Sequence, residues 1–210
     1  MTRIGRALLV TALVAGAGPL AQADIYRRIG PDGTVYFTNV PPRGPRGTKA
    51  GYSLYLRTPH PGGDRPRVPA RDSSPVRFTR FDAHIQEAAR LYQIPEALIR
   101  AVILIESNYD PRVVSHKGAE GLMQLMPQTA RRMMITNSFD PRQNILGGTR
   151  YLRYLANLFN GDIVLTIAGY NAGEAAVARY GGIPPYESTQ GYVHHVLLNY
   201  YRFRRGEMPG

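Results

Sequence analysis

The chain has 210 residues, 26 of them Lys or Arg against 15 Asp or Glu, a formal net charge of +11, and neither cysteine nor tryptophan. This excludes a disulfide framework, a Cys-ligated zinc or iron–sulfur site, a Cys nucleophile and a lipid carried on cysteine. At 43% apolar and 20% charged residues the composition suits a globular protein with a real core.

The first 23 residues have the three-part layout of a secretory signal peptide: Arg3 and Arg6 without an acid, an apolar run from Ala7 to Leu20, then Ala21-Gln22-Ala23. The run holds Gly16, Gly18 and Pro19 and falls short of the roughly 20 residues that span a bilayer. Cleavage after Ala23 is expected, and no later stretch is long and apolar enough to span. The reading is therefore a periplasmic protein with no integral membrane segment after cleavage.

Export argues against nucleic acid as partner, and so does the placement of charge. Residues 24–75 hold nine basic and four acidic residues, and 76–205 hold fifteen and ten. The excess is spread, and no run mixes dense basic residues with aromatics as a nucleic-acid groove would.

Ile25–Ile29 and Thr34–Thr38 are rich in β-branched and aromatic residues and flank Gly30-Pro31-Asp32-Gly33, which predicts a β-hairpin. A lone hairpin is marginal in water, so a further strand is expected from Tyr52–Leu56. The segment resembles a small N-terminal domain of unknown role found on many proteobacterial envelope proteins. From Pro41 to Pro75 the chain carries eight of its 17 prolines with several glycines and arginines, the composition of an extended linker.

After Pro75 the pattern is helical. Ile85, Ala88, Ala89 and Tyr92 form an amphipathic stripe. Pro95 is expected at the first position of a second helix, which runs to Ile105 and is apolar nearly all round, the mark of a buried helix. Further helices are predicted at Gln128–Met134, Arg142–Phe159, Asp162–Tyr170, Ala172–Tyr180 and about Thr189–Arg204, with no strand pattern between them. Gly147 and Gly148 weaken their helix unless helices approach closely there.

Glu106 ends the buried helix on the face of Ile99, Val102 and Ile103. A carboxylate on an apolar stripe is costly when charged, and the helix C-terminus also disfavours the anion, so its pKa should rise. A neutral carboxyl near pH 7 is what a general acid needs. The alternatives are that Glu106 caps the helix end in water or pairs with an arginine.

Glu106-Ser107-Asn108-Tyr109-Asp110-Pro111, Ser115 and Gly118-Ala119-Glu120-Gly121-Leu122-Met123-Gln124-Leu125-Met126-Pro127 resemble the soluble-type lytic transglycosylases, lysozyme-fold enzymes that cleave peptidoglycan. Asp140-Pro141, Asn144-Ile145, Gly147-Gly148, Tyr151-Leu152, Ala168–Gly173, Thr189 and Tyr192-Val193 continue the match, which covers nearly all of residues 80–200. The implied fold class is mainly α: a lysozyme-like all-α catalytic domain over 77–205, behind a signal peptide at 1–23, a β-hairpin module at 24–57 and a Pro/Gly/Arg-rich linker at 58–76.

The resemblance implies a catalytic Glu106. It implies Ser115 and Gln124 as hydrogen-bonding partners of the sugar, and Met126 as an apolar wall of the groove. Tyr170 and Asn171 would lie opposite the glutamate, with Tyr170 in reach of its carboxyl, and Tyr192 would face the cleft. Leu122, Met123 and Leu125 read as core, and Ser107 as a support of the helix end. One departure stands out: Ser188 occupies the place of a family glutamate, and Glu187 precedes it by one residue. On a helix that turns a side chain by about 100°, so Glu187 does not inherit the role.

Ordinary glycosidases use two carboxyl groups. Asp110, Glu120, Glu174 and Glu187 are the candidates for a second, and none is compelling. The resemblance implies a route without one: the substrate's N-acetyl oxygen attacks the anomeric carbon, and Glu106 acts first as acid and then as base to close a 1,6-anhydro ring. The implied partners are peptidoglycan glycan strands and, in the cell, envelope machinery; no cofactor or metal is called for. The adjacent His194 and His195 cannot face one ion from a helix in the i, i+4 manner, and at least one reads as a surface residue. A hydrolytic muramidase and an inert cell-wall binding protein are the alternative readings.

Overall fold

The computed structural model describes residues 25–29, 31, 35–38, 50–56 and 71–208. The expected signal peptide, the hairpin turn except Pro31, and most of the linker lie outside the described residues. Strands β1 (Ile25–Ile29), β2 (Val35–Thr38) and β3 (Ser53–Leu56) form an antiparallel sheet in the order β2-β1-β3. The hairpin register runs from Tyr26 opposite Thr38 to Ile29 opposite Val35. The third strand comes from the segment expected to supply it, pairing Tyr26 with Leu54 and Arg27 with Ser53. The sheet does not stand alone: Ile25 joins the main core cluster, and Tyr55 packs against that cluster and hydrogen-bonds the backbone of Ile183.

A short 3-10 turn at Pro75–Phe78 leads into seven helices. They are α1 (Asp82–Tyr92), α2 (Glu96–Ser107), α3 (Pro127–Arg132), α4 (Pro141–Leu158), α5 (Ile163–Ala172), α6 (Glu174–Tyr180) and α7 (Glu187–Arg204). The buried α2 lies between α1 and α7; α4 packs on α1 and α5, and α5 on α6 and α7. Ile99, Val102 and Ile103 of α2 are wholly buried with Ile85, Ile145, Leu152, Ile167, Val193 and Val196. This is the burial that an all-round apolar helix demands.

Local chemistry sets the boundaries. Asp140 caps α4 by accepting from Gln143 N at 2.7 Å, with Pro141 at the first helical position, the arrangement proline favours. Pro95, expected inside α2, stands one place earlier: its ψ of 132° is extended, and its carbonyl accepts the first helical hydrogen bonds from Leu98 and Ile99. Asp162 is likewise the cap of α5, accepting from Val164 N and Leu165 N at 2.9 and 3.0 Å. Gly173, at φ +85°, turns α5 directly into α6.

The helical part is not purely helical. Val114 bridges Glu120, and Glu120 bridges Leu125, making a small β corner between α2 and α3. Strand periodicity could not announce it, because the bridges are single residues set by the turns at Gly118 (φ +81°) and Gly121 (φ +75°). Of the histidine pair, His194 is buried and His195 keeps partial exposure.

Candidate active site

Glu106 lies in the last turn of α2, half-buried, and the chain beside it is tightly held. Ser107 is wholly buried; its hydroxyl contacts Ile103 O at 3.1 Å and Leu122 O at 2.8 Å as donor, tying the helix end to the β corner. Beyond it, Asn108 (φ +49°) and Tyr109 (φ +65°) are both left-handed, a conformation costing of order 1–3 kcal/mol for such residues. The Tyr109 ring offsets this by burying itself edge-on against Phe78, with centroids 5.4 Å apart. Burial pushes its hydroxyl pKa far up despite the nearby Arg100.

The corner facing Glu106 is organised by one side chain. Asn144, fully buried on α4, accepts from Met123 N at 2.7 Å and donates to Ser138 O at 2.8 Å and Glu120 O at 3.0 Å. The Met123 backbone is held on its other side as well, because the Tyr170 hydroxyl donates to Met123 O at 2.9 Å. Space for this comes from glycine. A Cβ on Gly148 would meet Met123 Sδ at 2.4 Å and its Cβ at 2.8 Å, and one on Gly121 would meet Ser138 O at 2.2 Å. Gly147 is pressed by Ile135 and Leu125. The close approach that the paired glycines require is therefore to the β corner and the loop after α3.

Tyr170 and Glu106 are brought together. Desolvation raises the Tyr170 hydroxyl pKa well above its ordinary value, and the charges of Glu106 and then Tyr151 push it further in the same direction. A neutral tyrosine therefore stands in the field of the Glu106 carboxylate. Its hydroxyl proton is committed to Met123 O, so Tyr170 anchors the corner as well as facing the glutamate. Asn171, exposed at the end of α5, accepts from the Thr189 hydroxyl at 3.0 Å, which fixes it against α7.

The other expected contact residues divide. Met126 is exposed at the N-cap of α3. Ser115 is half-buried; its Oγ accepts from Ala119 N at 3.0 Å, and a hydroxyl that accepts still has a proton to donate. Gln124 (φ +49°) spends its Nε2 on Val113 O and Gly121 O, each at 2.9 Å. Only its oxygen retains capacity toward a ligand. Tyr192 is 1% exposed and belongs to the main core cluster, because α7 turns that face into the core.

Two of the alternative carboxylates are committed elsewhere, and a third stands in water. Asp110 caps Arg112 N at 2.9 Å and pairs with Arg71 at 3.4 Å. Glu174 pairs with Arg132 at 2.6 Å and accepts from the Tyr151 hydroxyl at 2.8 Å. Glu187 is exposed in the first turn of α7. Among the described residues no group of three or more His, Asp or Glu is placed to hold a metal ion, and no helix is long and apolar enough to cross a membrane. Sequence reasoning gave Asn144 no role, although it carries the corner. Its signal was a polar residue in line with Gly148 and Leu152 on the buried face of α4.

Comparison with known proteins meets this geometry. The chain is 34% identical over 142 residues to the soluble lytic murein transglycosylase of Escherichia coli, a match spanning 56% of this chain and 22% of that protein. The crystal structure of the 70 kDa soluble lytic transglycosylase complexed with bulgecin A superposes with a TM-score of 0.55 at 30% identity, over 64% of this chain and 25% of the other. An inactive glutamate-to-glutamine mutant of the lytic transglycosylase Slt from Pseudomonas aeruginosa superposes at 0.53 with 28% identity, over 61% and 25%. The chain thus spans about a quarter of the length of these relatives. The model of the transglycosylase SLT domain matches residues 83–192, more than half of the sequence, and the chain belongs to that family.

Proposed function

We propose that this protein is a peptidoglycan lytic transglycosylase that cleaves the MurNAc-β-1,4-GlcNAc bond, with Glu106 as acid and then base. The observation that carries the reading is the half-buried Glu106 in the last turn of α2, whose charge acts on Tyr170, while Asp110 and Glu174 are tied to arginines elsewhere. A single working carboxyl is what a substrate-assisted route needs. In the first step the N-acetyl oxygen bonds to the anomeric carbon, the bond from that carbon to the leaving O4 breaks, and Glu106 gives its proton to O4. In the second step Glu106 takes the proton of the muramic acid 6-hydroxyl. O6 bonds to the anomeric carbon as the N-acetyl oxygen leaves, which yields the 1,6-anhydro sugar with no water added. The inactive glutamate-to-glutamine relative supports a glutamate in this part.

Ser115, the Gln124 oxygen, Met126 and Asn171 would line the saccharide groove, with Tyr170 and Tyr192 holding it from inside. The domain division at 23, 57 and 76, export to the periplasm and action within envelope machinery complete the reading. The test is mass analysis of products from purified sacculi. Anhydromuropeptides from the wild type and none from a folded Glu106→Gln variant are expected. Products heavier by one water would make the protein a hydrolytic muramidase, and binding to sacculi without turnover would make it an inert wall-binding protein.

A further inference from the structure

Four helices converge behind Tyr170. Glu174, in the first turn of α6, receives the Arg132 guanidinium of α3 at 2.6 Å on one oxygen and the Tyr151 hydroxyl of α4 at 2.8 Å on the other. The Tyr151 ring is buried and lies against the Tyr170 ring of α5, with centroids 5.5 Å apart and planes tilted by 47°. Arg132 is held on its other side by Tyr154, whose ring lies 4.2 Å below the guanidinium and stacks on Tyr151 at 6.1 Å. Tyr170 in turn holds Met123 O, and its hydroxyl feels Glu106. Polar and aromatic contacts therefore run without a break from a partly exposed ion pair to Met123 O of the β corner.

We propose that Glu174, clamped by Arg132, is a positioning residue: through the Tyr151 hydroxyl and ring it fixes Tyr170 beside Glu106. This rests on the assignment of Glu106 given above. The carboxylate is suited to the part. Burial by itself would raise its pKa, but the Arg132 hydrogen bond, its own backbone N–H and the Tyr151 hydroxyl hold it below the ordinary glutamate value, so it stays a charged acceptor at neutral pH. The pair's side chains are 45% and 27% exposed, and such pairs add little to global stability. Their arrangement matters more for where the Tyr151 ring sits than for whether the protein folds.

The experiment compares Glu174→Ala, Glu174→Gln and, as control, Arg142→Ala, which breaks the Arg142–Glu87 pair between α4 and α1 away from the cleft. Glu174→Ala should lower kcat for anhydromuropeptide release roughly three- to tenfold with KM unchanged and thermal stability near that of the control. It should also move the acid limb of the pH profile, because the surroundings of Glu106 change. Glu174→Gln keeps an acceptor for Tyr151 and should recover most of the activity. In ring-labelled tyrosine protein the Tyr170 resonance should shift in Glu174→Ala and stay put in Arg142→Ala. A wild-type kcat, an unmoved pH profile or an unmoved Tyr170 resonance in Glu174→Ala overturns the proposal. If the wild type releases no anhydro product, the catalytic reading fails by itself, and the Tyr170 resonance still decides the role of Glu174.

Discussion

Replacing Asn144 by Ala tests whether one buried amide organises the cleft. Asn144 is 0% exposed, and three backbone groups depend on it: Met123 N–H, Ser138 O and Glu120 O. Orphaning a buried backbone group costs about 1–3 kcal/mol, whereas Glu120 O keeps its hydrogen bond from Leu125 N. With two groups fully orphaned and a small cavity left, the loss should be about 3–5 kcal/mol. For a chain of this size that corresponds to a fall in Tm of roughly 6–20 °C. Urea unfolding followed by far-UV circular dichroism reads it as a lower midpoint at unchanged slope. Turnover of sacculi should fall more than the folded fraction does, because the Met123 backbone that Tyr170 grips loses its other support. Asn144→Asp, nearly the same shape, should be no better, since its second oxygen faces the carbonyls of Ser138 and Glu120 where a donor is needed. A loss below about 1 kcal/mol with full activity would refute the reasoning, and the corner would then owe its shape to packing.

Gly148→Ala should destabilise by about 1–3 kcal/mol despite alanine's better helix propensity, because the new methyl overlaps Met123 Cβ as well as its flexible sulfur; thermal melts check it. Ser107→Ala should cost about 1–3 kcal/mol in chemical denaturation, since Leu122 O is left unpaired beneath the cleft. At the α5 cap, Asp162→Asn should cost less than Asp162→Ala, for which a loss of about 0.5–2 kcal/mol is expected. Desolvation raises the Asp162 pKa even against its two N–H bonds, so the native state binds its proton more tightly than the unfolded chain. Its ionised form therefore loses stability as pH rises through the ordinary carboxylate range, and a neutral Asn cap escapes that loss. The Glu174 carboxylate has the opposite sign: its pKa is lowered, so its stabilisation is present above the ordinary glutamate value and is lost as pH falls through the folded value. The stability difference between wild type and Glu174→Gln should accordingly shrink in acid, from no more than about 1 kcal/mol given its exposure.

The helices were legible in the sequence because their signals are local. The 3.6-residue stripe from Ile85 to Tyr92, the apolar run through α2, and the Asp-Pro start of α4 each state an element within a dozen residues. Boundaries slipped by one residue at Pro95 and Asp162, since a cap and a first helical residue differ only in ψ. Glu106 was legible as a candidate on two grounds: it stands on a buried stripe, and its motif resembles the family whose model matches residues 83–192. The placement of Tyr192 was not: a motif position says which residue is used, and only the rotation of α7 says that its ring points inward.

What the sequence determined by itself was the order of the helices, the buried faces of α1 and α2, and a candidate carboxyl at the end of α2. What only the tertiary structure decided was how the site is held. Asn144 meets Met123 from 21 residues away and Tyr170 meets it from 47, while Glu174 joins Arg132 across 42. Hydrogen bonds between segments so far apart leave no periodic trace, because each partner contributes a single atom whose position is set by the packing of its whole helix. The sequence names the groups that can do chemistry; helix packing brings a half-buried glutamate, a neutral tyrosine and the doubly held backbone of Met123 into one region.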